Sequence, residues 1–210
     1  MTFVDVDEMP ILGEPLPVEL ANTLYGSGST SVSTVDFLGS PELIRTWFAL
    51  AFPSAGLPGQ LRRTDADAIR DLRDVINRLL RGLVDGRHPL ADEVAALNDA
   101  TAAAPSFLRL GWSAPTEPTA TTQHSGSAID AALGRIAAET ISLVTGHDRV
   151  LLRRCNGPGC TMLFVKAHHK RQWCHESCGH RARQASYYRR TRLRAPDGRP
   201  MVEGRSTLGS

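Results

Sequence analysis

The stretch from Arg153 to Arg181, RRCNGPGCTMLFVKAHHKRQWCHESCGHR, holds all four cysteines of the 210-residue chain. They stand as C-x4-C, thirteen residues, C-x3-C, at Cys155, Cys160, Cys174 and Cys178. In an exported chain, four cysteines would read as two disulfides stapling distant parts of a small scaffold. In a reducing cytosol, two short pairs at this spacing read as four thiolates around one tetrahedral zinc ion. A dithiol redox motif would need C-x-x-C at a helix start in a β-α-β setting, and neither pair has that spacing. Zinc is the reading carried forward, as a single structural ion, because four protein thiolates leave no open coordination position.

Between the first two cysteines, Asn156, Gly157, Pro158 and Gly159 are turn formers that can aim both thiolates at one point. Met162 to Val165 is a short apolar run. A polar loop of His168, His169, Lys170 and Arg171 follows, and Gln172 and Trp173 return to Cys174, a pattern that predicts a hairpin. Glu176 to Arg194 contains no proline and predicts a helix with Cys178 in its first turn, where the helix terminus favours thiolate charge. Knuckle, hairpin and helix together make a treble-clef-like zinc finger. So small a module has little core of its own and relies on the metal to fold.

The charge of the chain divides at the same place. Residues 1–148 carry 10 Lys and Arg against 19 Asp and Glu, whereas 149–210 carry 14 against 3. From Arg181 to Arg194 there are six arginines and no carboxylate. At 100° per residue, Ala182, Ala185 and Arg189 lie toward the ligand side, and His180, Arg183, Tyr187, Arg190 and Arg194 lie opposite. Guanidinium groups interleaved with tyrosines suit a phosphate backbone. The expected nucleic-acid contacts are therefore Lys170, Arg171, Arg181, Arg183, Arg190 and Arg194, with Arg181 equally able to pack on the finger. About six neutralised phosphates predict a salt slope of about −5. The competing reading docks this patch on the acidic body or on a protein partner.

Outward toward the N-terminus, helix signals recur. Ser40 and Pro41 open a helix to Ala51, and Ile69, Leu72, Ile76, Leu79, Leu80 and Leu83 mark one over about Asp65 to Leu83, with Gly82 and Gly86 near its end. A third is expected over Leu90 to Ala103 with Val94 and Leu97 inward, and a fourth over Ser127 to Thr145. Ser106 to Trp112 alternates as a strand. The Thr-, Pro- and Ser-rich run from Ala114 to Gly126 reads either as a flexible linker or, through Thr119 to Gln123, as the returning strand of a hairpin, and the hairpin is the reading adopted. Leu16 to Leu24 adds a strand or short helix. The expected class is α+β, with a mainly helical N-terminal domain over 1–148 carrying a small β-hairpin, a finger over 149–195 and a disordered tail over 196–210.

With 41% hydrophobic and 22% charged residues, the chain is far from the regime that cannot bury a core. No apolar run approaches the ~20 residues of a membrane span, and MTFVDVDEMP is acidic where a leader would be basic, so a cytoplasmic protein is expected. Phosphate-loop, dinucleotide and nucleophile-elbow motifs do not occur, and Gly26-Ser27-Gly28-Ser29 is a lone flexible loop. His88, His124 and His147 are scattered and read as surface residues, while His168 and His169 read as facing solvent or phosphate. No enzymatic activity is expected.

The finger residues resemble the CGNR zinc finger. Its Cys-Gly-Asn-Arg tetrad stands here as Cys178, Gly179, His180 and Arg181, and Lys166 replaces the family's usual Asp. Upstream, Leu20, Ala21, Asn22, Thr23 and Leu24 resemble the L-x-N-T element of the ABATE domain, and Pro41, Glu42, Leu43 and Trp47 resemble its following helix. The resemblance implies a stress-induced transcription regulator. In that reading the finger binds nucleic acid, DNA in the first instance, and the N-terminal domain senses a signal, binds a small ligand or forms a homo-oligomer. The alternative is a zinc-stabilised protein-interaction module with a ligand-binding N-terminal domain.

Overall fold

The Ser40 side chain accepts a hydrogen bond from the Leu43 N–H, and Pro41 occupies the first turn of a helix, as their order in the sequence predicts. The computed structural model describes residues 9–26 and 34–192. Its helices are α1 (Leu16–Asn22), α2 (Pro41–Ala51), α3 (Arg63–Val84), α4 (Ala91–Ala103), α5 (Ala128–Thr145) and α6 (Glu176–Arg192). The strands form three antiparallel pairs: β1 (Leu24–Tyr25) with β2 (Val35–Asp36), β3 (Ser106–Gly111) with β4 (Thr119–His124), and β5 (Leu152–Arg154) with β6 (Leu163–Val165). This is an α+β fold. The tail 196–210, Arg194 and Ser27 to Ser29 lie outside the described residues.

Helices α1 to α5 pack around one apolar core that contains Leu20, Trp47, Ile69, Ile76, Leu80, Leu97 and Ile136. The spacing expected for α3 is realised, with Ile69, Leu72, Ile76, Leu79 and Leu80 buried. The α4–α5 crossing is close because Gly134 has no side chain; a Cβ there would lie 3.0 Å from the Ala100 carbonyl oxygen.

One helix face departs from expectation. Val94 is exposed, and the inward line of α4 starts at Glu93, one turn before Leu97. Glu93 accepts two bonds from the Arg87 guanidinium, at 2.9 and 3.1 Å, and one from the Leu90 N–H at 2.9 Å. A carboxylate so fully hydrogen-bonded can occupy an inward position that hydrophobicity alone would give to its neighbour. Arg87 reaches that position by lying over Gly82, where a Cβ would stand 2.3 Å from its Nη2.

The finger's hairpin also differs from the predicted one. Strand β6 pairs upstream with β5, so the Cys155–Cys160 knuckle is itself the hairpin loop, and Gln172–Trp173 is not a strand. The turn formers of the knuckle bring 152–154 and 163–165 together locally, with no need of the longer downstream loop. Strand β6 is buried on both faces. Leu163 and Val165 enter the helical core, whereas Met162 and Phe164 join a second cluster with Cys155, Cys174, Cys178, Tyr25 and Phe37. The sequence character changes near residue 148, but the packing continues across that point.

Candidate metal centre

All four cysteines are free of disulfides, and their sulfurs lie within 4.8 Å of one another. Cys160 Sγ is 3.7 Å from Cys174 Sγ, which is 3.6 Å from Cys178 Sγ. A tetrahedron with Zn–S bonds of about 2.3 Å has edges of about 3.8 Å, so this donor set fits one zinc ion and no additional ligand. Cys155 and Cys160 come from the knuckle, Cys174 from the segment before α6, and Cys178 from its first turn.

The backbone around the sulfurs is built for close approach. A Cβ on Gly157 would sit 2.8 Å from Cys178 Cβ, and Gly159 has φ +71°, which an L side chain rarely adopts. The Cys155 sulfur accepts from the Cys174 and Gly157 N–H groups at 3.4 and 3.5 Å, and Arg181 donates to Cys178 Sγ at 2.8 Å. Hydrogen bonds from the other thiols, with the Arg181 charge behind them, pull the Cys178 thiol down. Hydrogen bonds from Cys160 and Cys174 lower Cys155 to about 7. Cys160 and Cys174 are pushed up, chiefly through their hydrogen bonds to Cys155. Four thiolates so close together need a cation to hold their charge, and zinc supplies two positive charges at that point.

The centre is fastened to the helical region by polar contacts that sequence reasoning did not find. Asn22, with no exposed surface, donates to the Leu163 carbonyl at 3.0 Å and accepts from the Leu163 N–H at 2.8 Å. The backbone it satisfies lies 141 residues away along the chain. Tyr25 Oη donates to the Gly159 carbonyl at 2.5 Å, and Arg81 Nη2 to the Thr161 carbonyl at 2.9 Å. Burial lowers Arg81 to about 10. Asn77 accepts from Arg81 Nε at 3.0 Å and donates to the Ala21 carbonyl at 2.7 Å. A polar residue inside an otherwise apolar pattern, as at Asn22, Asn77 and Arg81, is the signal that could have pointed to these contacts.

The six expected nucleic-acid contacts fall into three groups. Lys170, Arg183 and Arg190 are exposed and form no ion pair among the described residues. Arg171 turns inward instead. It pairs with Glu14, donates to the Val165, Trp173 and Cys174 carbonyls, and lies 4.9 Å over the Phe164 ring, so it belongs to the finger's own structure. Arg181 packs on the metal centre through Cys178, and Arg194 lies outside the described residues. Arg189, expected toward the ligand side, is exposed. Tyr187 and Tyr188 stand edge to face beside it, 6.0 Å apart and exposed.

Among the described residues no helix is long and apolar enough to cross a membrane. Residues 14–147 match the ABATE family model, described as a putative stress-induced transcription regulator, and residues 151–191 match the CGNR zinc finger. A comparison with curated proteins gives no match. Asn22 and Trp47, on which the upstream resemblance rests, both lie in the ABATE match, one tying the two regions together and the other fully buried in the core. With the larger part of its length in the first model and its four-cysteine centre in the second, the chain belongs to the ABATE family and carries a CGNR zinc finger.

Proposed function

We propose that this protein is a stress-responsive transcription regulator and not an enzyme. Its zinc-stabilised finger binds nucleic acid, duplex DNA in preference to RNA, and its N-terminal region senses a signal or mediates assembly. The observation that carries the reading is the exposed surface of α6, which presents Arg183, Arg189 and Arg190 with Tyr187 and Tyr188, and Lys170 on the preceding loop. From Arg181 to the end of α6 no carboxylate interrupts that field. Guanidinium groups in such a field neutralise phosphates, and exposed tyrosines can stack or hydrogen-bond beside them. Two adjoining clefts of about 390 and 370 Å³ share Phe52 and Ala55 and are the natural place for a small signal molecule.

A salt-titrated mobility-shift assay on the zinc-loaded protein tests the finger. Because Arg171 and Arg181 are engaged elsewhere, four cations remain and the expected slope of log affinity against log salt is about −3.6. Arg183→Ala and Arg190→Ala each flatten it by about 1. Salt-independent binding, or no duplex binding at low salt, overturns the reading; tighter binding to RNA of the same length overturns the preference for DNA.

A further inference from the structure

The β3–β4 hairpin stands outside both apolar clusters. Every residue of its two strands except Gln123 is exposed. Phe107, Leu108, Leu110 and Trp112 are 54, 76, 68 and 69% exposed. Alternation places Leu108 and Leu110 on one face, continued by Trp112, and Phe107 and Arg109 on the other. At the hairpin's base the Ser125 N–H donates to the Pro105 carbonyl at 3.1 Å. In an antiparallel ladder that parity directs the backbone groups of odd-numbered β3 residues to β4. Those of Leu108 and Leu110 then point out along the free edge, with Trp112 just past the end of β3. A two-stranded hairpin is marginal in water by itself, and an apolar free edge is a template for another strand.

We propose that the strand completing this edge is β3 of a second copy of the chain, paired antiparallel about a two-fold axis at Leu110 to form a four-stranded sheet. The edge is self-complementary in that register. Leu110 meets its counterpart, Leu108 meets Trp112, and Arg109 faces Gly111. Centring the axis one residue earlier would set Arg109 against Arg109, which like charges oppose. Pairing about Leu110 also gathers Leu108, Leu110 and Trp112 of both copies on one face of the sheet, where their side chains cover one another's flanks across the new seam.

This inference deepens the assembly role proposed above, and its test uses no nucleic acid. Sedimentation of the zinc-loaded full chain at tens of micromolar should give twice the 22.8 kDa chain mass. Leu110→Asp and Leu108→Asp should restore the single-chain mass with an unchanged far-UV spectrum. Leu110→Pro, which removes an outward N–H and leaves the bonds to β4 intact, should do the same, separating edge pairing from face contact. Leu110→Cys should cross-link to itself on mild oxidation, and Thr121→Cys on the opposite strand should not. A monomeric wild type, or a Leu110→Asp protein that remains dimeric, overturns the proposal. A monomer that still binds duplex leaves the nucleic-acid reading standing, and a dimer that binds none removes only that reading.

Discussion

Asn22→Ala removes two bonds that join the helical region to the finger, at 3.0 and 2.8 Å to the Leu163 backbone. Both residues have no exposed surface, so the Leu163 N–H and carbonyl are left without partners away from water. An unsatisfied buried group costs about 1–3 kcal/mol, which gives about 4 kcal/mol for the pair, and about 2 if a water enters the space left by the amide. For a chain of this size, 4 kcal/mol lowers the melting temperature by about 8–16 °C. The assay is thermal and urea unfolding with free zinc held constant, because metal binding to the folded form shifts both readings. Asn98→Ala, at an exposed position of α4, is the control and should stay within about 0.5 kcal/mol. Asn22→Ala and zinc removal both act through β6, so their costs should combine to less than their sum. A loss no greater than that of Asn98→Ala, or full additivity with zinc removal, would refute the idea that this amide couples the two regions.

Metal analysis should find one zinc per chain, and Cys174→Ser or Cys178→Ser should abolish it. Chelation should lower the melting temperature of the whole chain in one transition, because Leu163 and Val165 belong to the helical core; an unchanged main transition would show that the finger folds independently. Arg171→Ala should cost about 2 kcal/mol in urea unfolding through its lost carbonyl and Glu14 contacts, whereas Arg183→Ala should leave stability unchanged and alter only the salt slope. Glu93→Gln should cost about 1–2 kcal/mol at neutral pH, discounted because Arg87 is partly exposed. Burial pushes the Glu93 carboxyl up, but the Arg87 hydrogen bonds, the Leu90 N–H and the nearby Arg87 and Arg78 charges together hold it below its usual value. Its stabilisation is therefore present above the ordinary carboxylate range and fades as pH falls through the lowered value, so wild type and Glu93→Gln should converge in acid.

Local order along the chain was enough for the helices, because caps and periodic apolar residues act within a few residues of one another. Ser40 with Pro41 starts α2, Ser127 starts α5, and the 69–80 series lines α3. The cysteine spacing was likewise sufficient for the metal centre, since tetrahedral thiolate geometry admits few arrangements of two short pairs. Where one side chain could serve either of two partners, spacing was silent. Arg171 and Lys170 are adjacent cations in one loop, and only the position of Glu14 and three carbonyls turns the first inward. Glu93 displaced Val94 from the inward face because Arg87 was there to receive it. Asn22 found Leu163, and β6 found β5, through contacts that exist only once distant segments have packed. Composition, caps and cysteine spacing thus determined the elements and the metal, through forces that act locally or through a fixed coordination shape. Only the tertiary structure decided which polar groups hold the two regions together, because a buried hydrogen bond depends on a partner whose distance along the chain carries no local trace.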